Sequence, residues 1–183
     1  MNDILVIIGN GGHTQDILGV LRAKYHGSRK DGSIIVIDDD RNKSEIDGTN
    51  IVDMYLKLMR QTAGKKISYV IGVNSSQIRK EIAGRMDAIY AVPADPIVHP
   101  QSFFSHYNTP IGPGSVIGAG VVMTTNVKLG AHCHINSCAS INQGSTIGNF
   151  ATLAPGARIC GDVYVGDNVM MGCNSSIINM INI

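Results

Sequence analysis

The chain has 183 residues, 44% of them hydrophobic and 16% charged, with a formal net charge of +1 at pH 7. That balance gives no electrostatic case for a nucleic acid or a membrane surface as partner, and the length allows one or two domains with a sizeable core. The first apolar run, Ile4 to Ile8, follows Asp3, is too short to span a membrane and has no signal-cleavage site after it, so a cytoplasmic protein is expected.

In chain order, apolar runs at Ile4–Ile8, Ile34–Ile37, Ile67–Ile71 and Ala88–Val92 alternate with helix-like stretches at Thr14–Tyr25, Ile51–Thr62 and Gln77–Arg85. Strand and helix alternating at this spacing predict a small parallel, Rossmann-like α/β sheet over residues 1–93. Directly after the first run comes Gly9-Asn10-Gly11-Gly12-His13, which opens the first helix. Glycines there let backbone N–H groups approach an anion at a positive helix N-terminus, making Gly9, Gly11, Gly12 and His13 candidates for holding a phosphate or sugar. Thr14 stands where a dinucleotide fingerprint has its last glycine, so NAD is not predicted, and helix packing is where the difference should show. The second run ends in Asp38-Asp39-Asp40. Asp38 and Asp39 sit at the edge where such sheets hold ribose or base, although carboxylates in a turn are often simply solvated.

Two prolines in Pro93-Ala94-Asp95-Pro96 break this pattern, and a second one begins near Ile97. Every sixth residue from Ile111 to Ile183 is a large aliphatic, through Ile117, Met123, Leu129, Ile135, Ile141, Ile147, Leu153, Ile159, Val165, Met171 and Ile177. Four positions after each, from Ser115 to Ser175, the residue is small or slim. A fixed period of six reads as a hexapeptide parallel β-helix over residues 97–183, three hexads closing one triangular coil. Glycines following the aliphatics, such as Gly112 and Gly130, are expected where a corner needs positive φ or close approach. All four cysteines lie in this repeat without a CxxC pair, so disulfides are not expected.

Taken together, the Gly9–His13 loop, the segment Ile71-Gly72-Val73-Asn74 with Ile78-Arg79-Lys80, the entry Ile97-Val98-His99-Pro100 and the ungapped hexads resemble a known family. It is that of the bacterial sugar acetyltransferases, including sialic acid O-acetyltransferases and N-acetyltransferases of UDP-linked 4-amino sugars. The resemblance implies a left-handed winding of the β-helix, a homotrimer, a sugar or nucleotide-sugar site in the N-terminal domain and no metal. Acetyl-CoA would be the co-substrate, lying between neighbouring helices with Thr152, Gly161 and Cys173 as its implied contacts. In such enzymes a helix histidine acts as general base, while an asparagine of a neighbouring coil and the loop histidine help hold the substrate. Asn136 and His13 match the last two. The base does not match, because the family's Glu-His-Glu or Glu-His-Asp stretch falls on Asn142-Gln143-Gly144. Gln143 can orient a nucleophile but has no nitrogen that accepts its proton. The family's second histidine, beside the acetyl group, falls on Thr152, and the helix domain reads as cut short at Ile183, with Asn179-Met180 where Pro-Gly is expected.

Among the remaining histidines, His132 and His134 flank inward Cys133, so alternation sends both outward, onto a wall that could face a neighbouring subunit. His134 is the spare candidate for a base; the cysteine points away from both, which argues against a metal. His99 is expected to fix the domain junction, and His26 and His106 to lie on the surface. Two readings follow. In the favoured one the protein acetylates an amino or hydroxyl group of a sugar or nucleotide-linked sugar, with catalysis relying on positioning. In the alternative it is a degenerate member that binds a sugar nucleotide or a partner subunit without chemistry. A hexapeptide carbonic anhydrase would need three histidines converging across a subunit interface and would leave the α/β half without a purpose.

Overall fold

A computed structural model of the chain describes residues 4–25, 34–38, 51–62, 64–105 and 108–183. Asp39, Asp40, His26 and His106 lie outside them. The N-terminal part is a three-stranded parallel sheet in the order β2-β1-β3, formed by β1 (Ile4–Ile8), β2 (Ile34–Ile37) and β3 (Ile67–Ile71). All five residues of β1 are buried, as a central strand covered on both faces requires. Leu5 and Ile7 pack with Ile17, Val20 and Leu21 of α1 (Gly12–Tyr25). Ile4, Val6 and Ile8 pack on the other face with Met54 and Tyr55 of α2 (Ile51–Gln61) and Ile82 and Met86 of α3 (Ser76–Asp87). The chain leaves β1 toward β2 on one side and returns to β3 on the other, so the Gly9 loop stands at the switch point where such sheets bind ligands.

The expected fourth strand at Ala88–Val92 does not form. Ala88 closes α3, its N–H bonding back to the Gly84 carbonyl, and Tyr90 takes φ 55°. Pairing with β3 shrinks to one bridge, Tyr69 with Pro93, beyond which the proline has no N–H for a ladder.

From Ile97 the chain winds as a parallel β-helix with three faces. The first face stacks β4 (Ile97–Val98), β6 (Val116–Ile117), β9 (His134–Ile135), β12 (Thr152–Leu153) and β15 (Met170–Met171). The second stacks β5 (Phe103–Phe104), β7 (Val122–Met123), β10 (Ser140–Ile141), β13 (Arg158–Ile159) and β16 (Ser176–Ile177). The third stacks β8 (Lys128–Leu129), β11 (Thr146–Ile147) and β14 (Tyr164–Val165). Ser140 pairs with Arg158 and Thr146 with Tyr164, one coil of three hexads apart. The core is the predicted set: Ile117, Met123, Ile135, Ile141, Ile147, Leu153, Ile159 and Val165, with the slim Val121, Ala139, Ala151 and Ala157 between them, all essentially without exposure.

The corners correct one expectation. Gly112 and Gly130 do serve close approach, since a Cβ on Gly112 would run into Ala131 N and one on Gly130 would lie 2.7 Å from Asn149 N. Positive φ falls elsewhere, three residues after each aliphatic. It recurs every six residues at Gly114, Gly120, Asn126, His132, Cys138, Gly144, Phe150, Gly156, Asp162, Asn168, Asn174 and Met180. Asn, Asp and His tolerate this region better than most residues, whereas Phe150, Cys138 and Met180 are unusual there.

Candidate active site

The glycine loop is built by packing against its neighbour loop. Gly9 takes φ 109°, and a Cβ on it would lie 2.9 Å from Val73 Cγ2. Thr14, buried, donates its hydroxyl to the Gly9 carbonyl at 2.7 Å and lies 3.3 Å from the Gly72 carbonyl, filling the space that glycine at 72 leaves. Threonine in place of the last fingerprint glycine thus ties the β1–α1 loop to the end of β3. Gly11 and Gly12 are exposed with nothing near their absent side chains, so this side of the helix N-terminus is open to a ligand. Asp38 follows β2 directly beside the loop, the Gly9 N–H donating to the Ile37 carbonyl at 2.7 Å.

Between the first turns of α1 and the first β-helix face runs a cleft of about 350 Å³, bordered by His13, Asp16, His99, Asn136, Ser137 and Pro155. His13 Nδ1 is 3.6 Å from Asp16 Oδ2. Asn136 donates its side-chain amide to the Leu153 carbonyl at 3.0 Å, which leaves the amide oxygen for a ligand. His99 Nδ1 accepts the Gln101 N–H at 3.1 Å. The structure thus brings together the loop histidine and the helix asparagine that the resemblance paired, and adds Asp16, His99 and Ser137.

Beneath the cleft the two parts of the chain are joined by a buried polar cluster. Arg79 of α3 has no exposure, and no carboxylate among the described residues pairs with it. Its Nε donates to the His132 carbonyl at 3.2 Å and Nη1 to the Val73 and Asn74 carbonyls at 3.0 and 2.6 Å. Nη2 reaches the Phe150 carbonyl at 2.6 Å and Thr152 Oγ1 at 2.7 Å. Burial pulls its pKa down to about 10, so it stays charged at neutral pH. Around it, Tyr69, His132 and Phe150 stack with ring centroids 5.8 and 5.3 Å apart, and His13 stacks on His134 at 4.1 Å.

His132 and His134 do point outward from the β-helix, but onto the chain's own N-terminal part and not onto a free wall. Burial first, then the Arg79 charge and the neighbouring rings, hold the His134 pKa well below the ordinary histidine value. The Ile71 carbonyl favours the charged form without reaching hydrogen-bonding geometry, and both ring nitrogens are without partners among the described residues. A buried imidazole with so little affinity for a proton, away from the cleft lining, is poorly placed as a base. Thr152 is equally closed off, its hydroxyl taken by Arg79.

Gln143 is exposed at a different corner, its Nε2 lying 2.8 Å from where a Cβ on Gly161 would be. Gln143 and Gly161 are therefore neighbours one coil apart, but this chain does not bring them to His13 and Asn136. Cys173 is exposed further along the helix, and all four cysteines are free. Cys133 faces the core and its thiol donates to the Gly148 carbonyl at 3.0 Å; burial pushes its pKa up to about 11. No group of three or more candidate metal ligands occurs among the described residues, and none of their helices is long and apolar enough to cross a membrane.

A glycine-loop α/β domain clamped by a buried arginine onto a hexapeptide β-helix defines the class as hexapeptide-repeat proteins with an N-terminal α/β domain. Residues 4–86 match the PglD N-terminal domain family. Nearly the whole fold is similar to a variant of perosamine N-acetyltransferase from Caulobacter crescentus in complex with CoA and GDP-perosamine. That match has a TM-score of 0.68 and 22% identity, covering 98% of this chain and 90% of that one. WeeI from Acinetobacter baumannii AYE gives a TM-score of 0.67 at 16% identity, covering 96% and 89%. These likenesses establish the fold, including the left-handed winding of the helix. A GDP-perosamine N-acetyltransferase of Escherichia coli O157:H7 is 24% identical over 172 residues, 93% of this chain and 76% of that protein. Over nearly its whole length the chain is thus similar to bacterial sugar N-acetyltransferases.

Proposed function

We propose that this chain transfers the acetyl group of acetyl-CoA to an amino or hydroxyl group of a nucleotide-linked sugar, as a homotrimer in the cytoplasm, with residues 1–93 binding the sugar nucleotide and 97–183 forming the acyltransferase helix. The observation that carries the reading is the cleft in which His13, from the glycine loop, faces Asn136 of the helix wall. Open Gly11 and Gly12 beside it suit a diphosphate at the positive end of α1, and Asp38, with Asp39 next in sequence, stands on the side where a ribose or base would lie. Relatives of this architecture carry the names of sugar N-acetyltransferases, which favours an amine acceptor. Exposed Phe103 and Val122 on the second face and Tyr164 on the third are suited to cover by other subunits. In such a trimer the corner bearing Gln143 and Gly161 would meet a neighbour's surface, where acetyl-CoA would lie and Gln143 would orient the acceptor, with Cys173 on the separate corner column of Ser137 and Pro155.

A catalytically silent sugar-nucleotide binder is favoured by one specific observation, the glutamine at 143 with Thr152 sealed under Arg79. Thermal shift separates the two readings. A ligand at about a hundred times its dissociation constant adds roughly 2.7 kcal/mol. An acetyltransferase is stabilised by acetyl-CoA and by one class among GDP-, UDP-, CMP- and dTDP-linked sugars; a binder responds to the sugar nucleotide alone. Silence toward all of them removes the cleft from consideration as a substrate site.

A further inference from the structure

The polar lining of the cleft has one sign. Among the described residues that border it, Asp16 is the single Asp or Glu, and there is no lysine or arginine. His13 does not cancel that charge, because burial, the largest influence, holds its pKa below the ordinary 6.5 despite Asp16, and the ring is neutral at pH 7. Nor does Arg79, which has no exposure and gives its N–H groups to backbone carbonyls and Thr152. His13 Nδ1 lies 3.6 Å from Asp16 Oδ2, which favours its proton on that nitrogen, and Nε2 is buried, so the ring offers a ligand no acceptor. The second oxygen of Asp16, on a side chain 72% exposed, is left for one. Asn136 adds another acceptor, since its amide N–H goes to the Leu153 carbonyl and Oδ1 remains. His99 accepts the Gln101 N–H at Nδ1, so its neutral ring has a donor at Nε2.

An uncompensated carboxylate repels a diphosphate, whose place is at Gly11 and Gly12, open at the positive end of α1. Asp16 stands four residues beyond Gly12 on that helix, about 6 Å further along its axis, on the scale of one sugar ring. We propose that Asp16 is the specificity-determining residue of the cleft, accepting hydrogen bonds from the amine of a nucleotide-linked amino sugar and turning away sugars that bear a carboxylate. The proposal rests on the sugar-nucleotide reading above and narrows its acceptor from an amine or hydroxyl to an amine. An ammonium group gains a charge-assisted hydrogen bond from the carboxylate, and a neutral amine still has two N–H donors for Asp16 and Asn136. A hydroxyl has one donor and no charge, so the same acceptors hold it less tightly. A sugar carboxylate meets a like charge and loses its water with no cation of the lining to replace it.

The test is titration calorimetry at pH 7 on the full chain, comparing wild type, Asp16→Asn and Asp16→Lys, each checked by its melting transition. The probes are GDP-perosamine and 4-amino sugars linked to UDP and dTDP, each beside its counterpart with a hydroxyl in place of the amine. Asparagine keeps an oxygen for His13 Nδ1 and removes the charge. For the nucleotide that binds, wild type is expected to hold the amine about tenfold more tightly than the hydroxyl. In Asp16→Asn affinity for the amine falls by about that factor while the hydroxyl sugar stays within about twofold, and Asp16→Lys prefers the hydroxyl. No preference in wild type, or a preference that survives both substitutions, overturns the proposal and leaves the sugar-nucleotide reading standing. An equal loss for both members of a pair does the same, making Asp16 a general support of the site. A folded wild type that binds none of the probes overturns the proposal and that reading together.

Discussion

One corner column of the β-helix carries Asn108, Asn126, Gly144, Asp162 and Met180, and another carries Gly114, His132, Phe150 and Asn168, every one of them in the left-handed region. The backbone demand is the same in both, yet the first column meets it mostly with residues that adopt positive φ easily. The second spends about 1 kcal/mol or more on a phenylalanine and places a histidine beside it. The difference is what the side chains touch. The first corner is largely exposed, whereas the rings of His132 and Phe150 stack under Tyr69, and their carbonyls receive Arg79. At His132 and Phe150 the departure from glycine or asparagine coincides with a contact, the seam on which the N-terminal part sits and above which the cleft opens.

The strongest way to break this contrast is at Arg79. Arg79→Met leaves several buried acceptors unpaired, each worth about 1 to 3 kcal/mol, so a loss of at least about 3 kcal/mol is expected. Hydrogen exchange should show the amides of β1 and β3 losing protection while those of β9 to β13 keep it. Uniform loss across both regions would mean that the seam is not where the clamp acts.

Smaller changes sharpen it. Phe150→Gly relieves the backbone but removes the stacked ring, for a net loss of about 1 to 3 kcal/mol, whereas Asn126→Gly at the other corner should stay within about 0.5 kcal/mol. Equal effects in denaturant melts would erase the distinction between the two columns. Acid probes the same seam. His132 and His134 have folded pKa values below 6.5, chiefly from burial, so the unfolded chain binds protons first as pH drops. Their contribution is complete above about pH 6.5 and declines below it, by up to about 1.4 kcal/mol per pH unit for each group until the folded pKa is reached. His134→Leu should flatten the fall in melting temperature between pH 6.5 and 5, and an unchanged slope would remove His134 from the effect.

These comparisons also explain what could be read from the residues alone. The hexad period was visible because Ile117, Ile135 and Leu153 each repeat one burial environment, and chemistry repeated at fixed spacing survives in a single sequence. The left-handed positions were missed because Gly114, His132, Phe150 and Asn168 share a dihedral and no residue type. Arg79 was quoted as part of a motif but given no role, since within Ile78-Arg79-Lys80-Glu81 it reads like any solvated helix arginine. Its burial is created by docking, which no local pattern encodes. The same docking covers His134 and Thr152, outward positions on the helix that alternation alone places in solvent. Asp16 escaped notice because a lone carboxylate in a first helical turn is ordinary until a histidine and a cleft are found beside it.

The central claim is that the seam between the two parts is a working acyl-transfer cleft. The most direct measurement is mass spectrometry of nucleotide-linked amino sugars, GDP-perosamine first, after incubation with the full chain and acetyl-CoA labelled in its acetyl group. The account predicts one labelled acetyl group on the sugar, appearing with free coenzyme A. Sugar nucleotides that bind in the cleft and return unlabelled, with acetyl-CoA unconsumed, would contradict it.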